Sequence, residues 1–90
     1  MNHPDKIEGY NGTLEDLAKE VGNMSYDKTA EFIGKMASNI AKQADEDFKK
    51  GKIKLALQLY KTANNLYSAK KEIDLAWKIC EPYMKNSNQD

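Results

Sequence analysis

The side chains best suited to chemistry in this chain are few and scattered. Cys80 is the only cysteine and His3 the only histidine. A cysteine nucleophile needs a base within hydrogen-bond reach. His3 instead lies in a polar N-terminal arm broken by Pro4, Gly9 and Gly12. Cys80 falls on an apolar helical stripe with Ile73 and Trp77, which makes it a core residue. No second histidine or cysteine stands at a metal-ligand spacing from His3. A lone cysteine also excludes an intramolecular disulfide, so a reducing compartment, the cytoplasm, is the expected home.

The carboxylates are no more convergent. Asp45, Glu46 and Asp47 are adjacent, and adjacent helix residues point in different directions. Asp27 and Glu31 share a face, but at a helix N-terminus, where they complement the dipole. No pair of Glu-x-x-His motifs supports a di-iron site, and no glycine-rich phosphate loop is present. No constellation nominates a reaction, a cofactor or a metal, and a non-enzymatic protein is expected.

The charge pattern says more. The chain has 14 basic and 14 acidic residues, and every basic residue is lysine. Without arginine there is no planar fork to read guanine or clamp a phosphate. The zero net charge gives no overall pull toward nucleic acid or anionic membrane. The distribution is uneven, however. Up to Phe48 there are 10 acidic residues against five lysines; beyond it there are nine lysines against four acids. Lys49, Lys50, Lys52 and Lys54 make one short stretch basic, a candidate phosphate or acidic-partner contact. Met1 to Ile7 has no apolar run of the secretory kind. No stretch approaches the ~18 apolar residues of a membrane span.

Helices must position these groups. Lys52 to Glu81 runs without glycine or proline. Leu55, Leu59, Ala63, Leu66, Ile73, Trp77, Cys80 and Met84 mark one helical stripe along it. Pro82 is expected to end or kink this helix near Glu81. Upstream, Ser25 is an N-cap candidate for a second long helix. Tyr26, Ala30, Ile33, Ala37, Ile40, Ala44 and Phe48 form its near-heptad seam, with small residues that let a partner helix come close. Lys49, Lys50 and Gly51 suit its end. So short a connection makes the two long helices antiparallel.

Thr13 and Asp16 resemble a capping box for a short helix carrying Leu14, Leu17, Ala18 and Val21, with Gly22 at its C-cap. This helix is too short to stand alone. It is expected across the open end of the hairpin, covering the second half of the long helix, where Ala69, Leu75, Ala76, Ile79 and Tyr83 widen the stripe. Trp77 would then be the best-packed residue, among Tyr26, Ile33, Leu14 or Leu17, and Ile73. In the first half of the long helix the apolar arc spans roughly 200°, while one neighbour needs about 100°. Ile53, Leu57, Tyr60 and Tyr67 are left over on one side and are expected to form a contact strip. A break between Asn64 and Lys71, letting the last segment fold back, is the alternative.

Residues 44–63 carry a family resemblance. Phe48, Gly51, Ile53, Ala56, Leu57, Tyr60 and Ala63 resemble the turn and second helix of a single tetratricopeptide repeat, and the turn is similar to that of MIT-type three-helix domains. Gly51, Ala56, Tyr60 and Ala63 match the glycine, small, aromatic and small positions, and Ala44 matches a small position of the first helix. Asp47 departs from an expected aromatic, Ser68 replaces the closing proline, and no second repeat follows, where at least three normally make a stable array. The resemblance implies a helical-hairpin scaffold used for protein binding.

The expected protein is therefore all-α: an antiparallel hairpin of two long helices with a short N-terminal helix. It has a mobile arm over 1–12, one domain over 13–85 and a polar tail over 86–90. The expected role is a protein–protein interaction or self-association module, acting as a homodimer or with another protein partner. The alternative is a nucleic-acid-associated accessory protein using the lysine-rich tip.

Overall fold

A computed structural model describes residues 3–89, with side chains up to Tyr83. Three helices follow in order: α1 (Leu14–Gly22), α2 (Tyr26–Lys49) and α3 (Ile53–Gln89). The protein is all-α, and α2 and α3 pack as an antiparallel hairpin.

Local chemistry sets the boundaries. At α1 the Asp16 N–H donates to Thr13 Oγ1 (3.0 Å) and the Thr13 N–H to Asp16 Oδ2 (3.1 Å), a reciprocal capping box. Gly22 is helical rather than the left-handed cap; α1 ends at Asn23, in the right-handed region, whose N–H reaches back to the Lys19 carbonyl at 2.9 Å. The backbone carbonyl of Ser25 receives the Lys28 N–H (2.9 Å) and the Thr29 N–H (3.1 Å), while its hydroxyl caps nothing on the backbone.

The hairpin turn is a Schellman motif. The Lys52 N–H donates to the Asp47 carbonyl (2.9 Å) and the Gly51 N–H to the Phe48 carbonyl (3.0 Å). Gly51 has φ +83°, which a residue with a Cβ adopts at a cost. The Ala56 N–H then meets the Lys52 carbonyl (2.9 Å) and starts α3.

The seam between the long helices is made of methyl groups. Ala30, Ala37 and Ala44 on α2 and Ala56 and Ala63 on α3 are each no more than 2 % exposed. Together with Thr29 they are the buried residues among those described. They recur every seventh position, one helical stripe, and the turn sets Ala44 level with Ala56 and Ala37 with Ala63. Beside the seam lies Gly34, crossed by the stem of Lys70, whose Cδ would lie 2.9 Å from any Cβ added there.

Three expectations are corrected. First, α1 does not cover α3: its backbone approaches α2 alone. The Thr29 hydroxyl donates to the Val21 carbonyl (2.7 Å) and fixes α1 beside α2. Leu14 stays 69 % exposed, and Leu75, Ile79 and Tyr83 on α3 are exposed. Second, Trp77 is only half-buried; the tightest packing is the alanine seam, because only methyl-sized side chains let two helix backbones come that close. Third, α3 is one 37-residue helix that runs through Pro82 without a break between Asn64 and Lys71. Pro82 and Lys78 are both exposed, so the Lys78 carbonyl that loses its donor can turn to water. The helix therefore also takes up residues 86–89, expected as a tail. The expected stripe position of Met84 lies outside the described side chains.

The result is a flat layer. The molecule measures 55 × 30 × 14 Å, so it is little thicker than one helix with its side chains.

Candidate interaction surface

Helical spacing at about 100° per residue divides the hairpin into two broad faces either side of the alanine seam. One carries Gly34, Ala41, Asp45 and Phe48 of α2 with Ile53, Leu57, Tyr60, Tyr67 and Asp74 of α3. The other carries Thr29, Ile33, Met36, Ile40 and Gln43 of α2 with Leu55, Leu59, Leu66 and Ile73 of α3. Observed contacts respect this division. Tyr60 donates its hydroxyl to Asp45 Oδ1 on the first face. Thr29 holds the end of α1 on the second.

The expected strip lies on the first face, near the tip. Ile53, Leu57 and Tyr67 are exposed, Leu57 at 51 %. Tyr60 is half-buried, and its bond to Asp45 pushes its ionisation above the ordinary phenol range. Tyr60 therefore also ties α3 to α2, a role its spacing did not reveal. Phe48, expected in the seam, is 49 % exposed and extends the strip instead. Lys49, Lys50, Lys52 and Lys54 are all exposed around the turn, beside Asp45 and Glu46.

The other polar groups are arranged for structure. Hydrogen bonds from the backbone and side chain of Thr13 hold the Asp16 carboxyl below its ordinary range. The Tyr10 hydroxyl donates to Glu20 Oε2 (2.8 Å), which pushes its ionisation up to about 12 and anchors the N-terminal arm to α1. His3 sits beside Gln43, Asp47, Lys52 and Leu55, far from Cys80 at the other end of the hairpin. Cys80 is half-buried with Trp77, Met24 and Tyr26 around an open recess of about 230 Å³, smaller than a typical small-molecule site. Among the described residues no group of three or more His, Cys, Asp or Glu side chains converges as a metal site. None of their helices is long and apolar enough to cross a membrane.

No family model, curated protein or solved structure matches this chain. Its function has to be argued from its own surface.

That surface is large for the chain's mass, and many large apolar side chains lie on it. The chain exposes 7320 Å². A compact monomer of 10.2 kDa is expected to expose about 5300 Å². The radius of gyration is 16.4 Å, against about 12 Å for a compact 90-residue domain. Large apolar side chains remain exposed on both faces, including Phe32, Met36, Leu55 and Leu57.

Proposed function

We propose that this chain is a small, non-enzymatic protein-interaction module that associates with itself. The observation that carries the reading is the excess surface. About 2000 Å² beyond the compact expectation is more than the ~800 Å² per partner that a standard interface covers. The buried alanines supply little hydrophobic stabilisation, since a methyl group removes far less area from water than a leucine side chain. Pairing of two flat hairpins would make a four-helix arrangement and bury larger side chains. The strip of Ile53, Leu57, Tyr60 and Tyr67 offers a further contact to a protein partner at the tip.

The test is solution mass by sedimentation equilibrium over a wide range of concentrations. The expected result is a mass of two chains or more, falling to one on dilution. A single-chain mass at every concentration would overturn the self-association reading.

A second reading uses the tip on nucleic acid. It is favoured by one observation: from Phe48 to Lys71 there are seven lysines and no acidic residue. Phosphate binding weakens steeply with salt, whereas apolar association does not. Retention of an oligonucleotide that disappears between low and physiological salt would support it.

A further inference from the structure

We infer that the second copy docks on the face opposite the Ile53–Tyr67 strip, and that the two hairpins stack with their tips at opposite ends. This rests on the self-association reading and adds which surface carries it. The apolar centre of the face is Ile33, Met36 and Ile40 of α2 with Leu55, Leu59 and Leu66 of α3. Met36 and Leu55 are 40 % and 47 % exposed, and the other four are half-buried. They stay exposed or half-buried with α1 and the N-terminal arm in place; the arm brings His3 beside Gln43, Asp47, Lys52 and Leu55 at the tip end of this face.

Charge is what selects a copy of the same chain as the occupant. Charged residues make up 31% of the protein. Yet the polar residues on this side, Asn39 and Gln43 of α2 and Gln58, Thr62 and Asn65 of α3, are all neutral. Charge resumes toward the margins, with Glu46, Asp47, Lys50 and Lys52 at the tip and Lys28, Lys54 and Glu72 at the outer edges of the two helices. Depletion of charge at the centre is the compositional mark of an interface core. It also removes the like-charge repulsion that an isologous contact brings on itself, since each residue there meets the same surface of its copy. The tip strip lacks this property, because Lys54, Lys61 and Lys71 flank it and Asp45, bonded to Tyr60, lies within it.

Size agrees. Leu55 to Ala76 runs about 31 Å along α3 at 1.5 Å per residue. Two helices side by side are about 20 Å wide. The footprint is about 600 Å² before side-chain relief, close to the ~800 Å² per partner of a stable dimer. A two-fold axis across the helices separates the two lysine tips; an axis along them would bring eight lysines together.

The experiment compares two variants by sedimentation and circular dichroism. Met36→Glu with Leu55→Glu places charge on positions that are already exposed. It should leave helix content unchanged and weaken dimerisation about a hundredfold or more. Leu57→Glu, on the opposite face, should dimerise like the wild type. A spin label on Cys80 should then report a separation of about 44 Å, because Cys80 lies about 14 to 15 residues from the centre of the Leu55–Ala76 footprint. If the Met36/Leu55 variant loses helix content, Asn39→Lys with Asn65→Lys replaces it; these exposed rim positions should give dissociation that salt partly reverses. A dimer indifferent to charge on this face but broken by Leu57→Glu would overturn the assignment and leave self-association standing. A wild type that is monomeric throughout would overturn both. Labels in near contact would refute the antiparallel stacking.

Discussion

The Thr29 hydroxyl donates a hydrogen bond to the Val21 carbonyl at 2.7 Å and ties α1 to the hairpin. Thr29 is 6 % exposed and is the buried polar residue of the structure's described part. The bond adds a second donor to a carbonyl in the last turn of α1 that otherwise receives only the Met24 N–H, at 3.3 Å. Thr29→Val keeps the shape and removes the donor. It is expected to cost about 1 kcal/mol and to free α1 before the hairpin melts. Hydrogen exchange should show faster exchange in α1 with little change at the α2–α3 seam. Equal protection of α1 in both proteins would mean that side-chain packing, not this bond, holds it.

The alanine seam sets the distance between α2 and α3. Ala37→Leu inserts a large side chain where Ala37 is 0 % exposed. Overpacking of this kind costs about 1–3 kcal/mol, and the neighbouring helix has to move out. Urea unfolding monitored by circular dichroism should show a lower midpoint. Ser38→Leu is the control, since Ser38 is the next residue along and is exposed. That variant should stay within about 0.5 kcal/mol of wild type. Equal losses at the two positions would mean that the seam has room to spare.

Gly51 carries the turn on its backbone alone. No atom lies within 4 Å of the place its Cβ would occupy, so a substitution there meets no side chain. Gly51→Ala should cost about 1–2 kcal/mol through its positive φ. Gly51→Asn should cost less, because asparagine tolerates that region better. Equal melting temperatures for wild type and Gly51→Ala would refute the strained turn.

Stability should be flat near neutral pH and fall on both sides. Tyr10 ionises at about 12 when folded, above its ordinary value near 10. Its contribution is complete below the ordinary value and lost as pH rises through the folded one. The Asp45 bond raises Tyr60 and adds to the same alkaline limb. Asp16 is lowered in the folded chain by its Thr13 hydrogen bonds, so its contribution holds above the ordinary carboxyl range and is lost as pH falls through the folded value. Tyr10→Phe should flatten the alkaline limb and Asp16→Asn the acid limb in urea midpoints against pH. A limb left unchanged by its variant would remove that residue from the account.

Local signals made much of this fold legible. The Thr13–Asp16 pair, Gly51 and the small residues at Ala30, Ala37 and Ala44 each act through backbone geometry or close approach, and each lies where its type and spacing put it. The wide apolar arc of α3 was legible too; of the strip, Ile53, Leu57 and Tyr67 are exposed, while Tyr60 is within reach of α2 through Asp45. What covers an arc was not. Leu14 and Leu17 read as cover for α3, but a nine-residue helix can be held by one bond to Thr29, and its direction is set by the three residues that link it to α2. Trp77 read as the core because of its size. Methyl-sized contacts bring the backbones so close that large side chains are displaced to the faces. Pro82 read as an end or a kink; α3 does not end there, because a proline removes one donor and a solvent-facing carbonyl tolerates that loss.

The seam has one more consequence. Its alanines repeat identically every seven residues, so it resembles an evenly marked ruler with no zero. Sliding α2 by one heptad, about 10.5 Å, would again set alanine against alanine, with Ala44 now level with Ala63. The methyl groups therefore fix how close the helices come without fixing where along each other they stop. That information resides in the Gly51 turn and in two pegs off the seam, the Tyr60–Asp45 bond and the Lys70 stem lying over Gly34. A hairpin cut at its turn would therefore depend on the Tyr60–Asp45 bond and the Lys70 stem for its alignment.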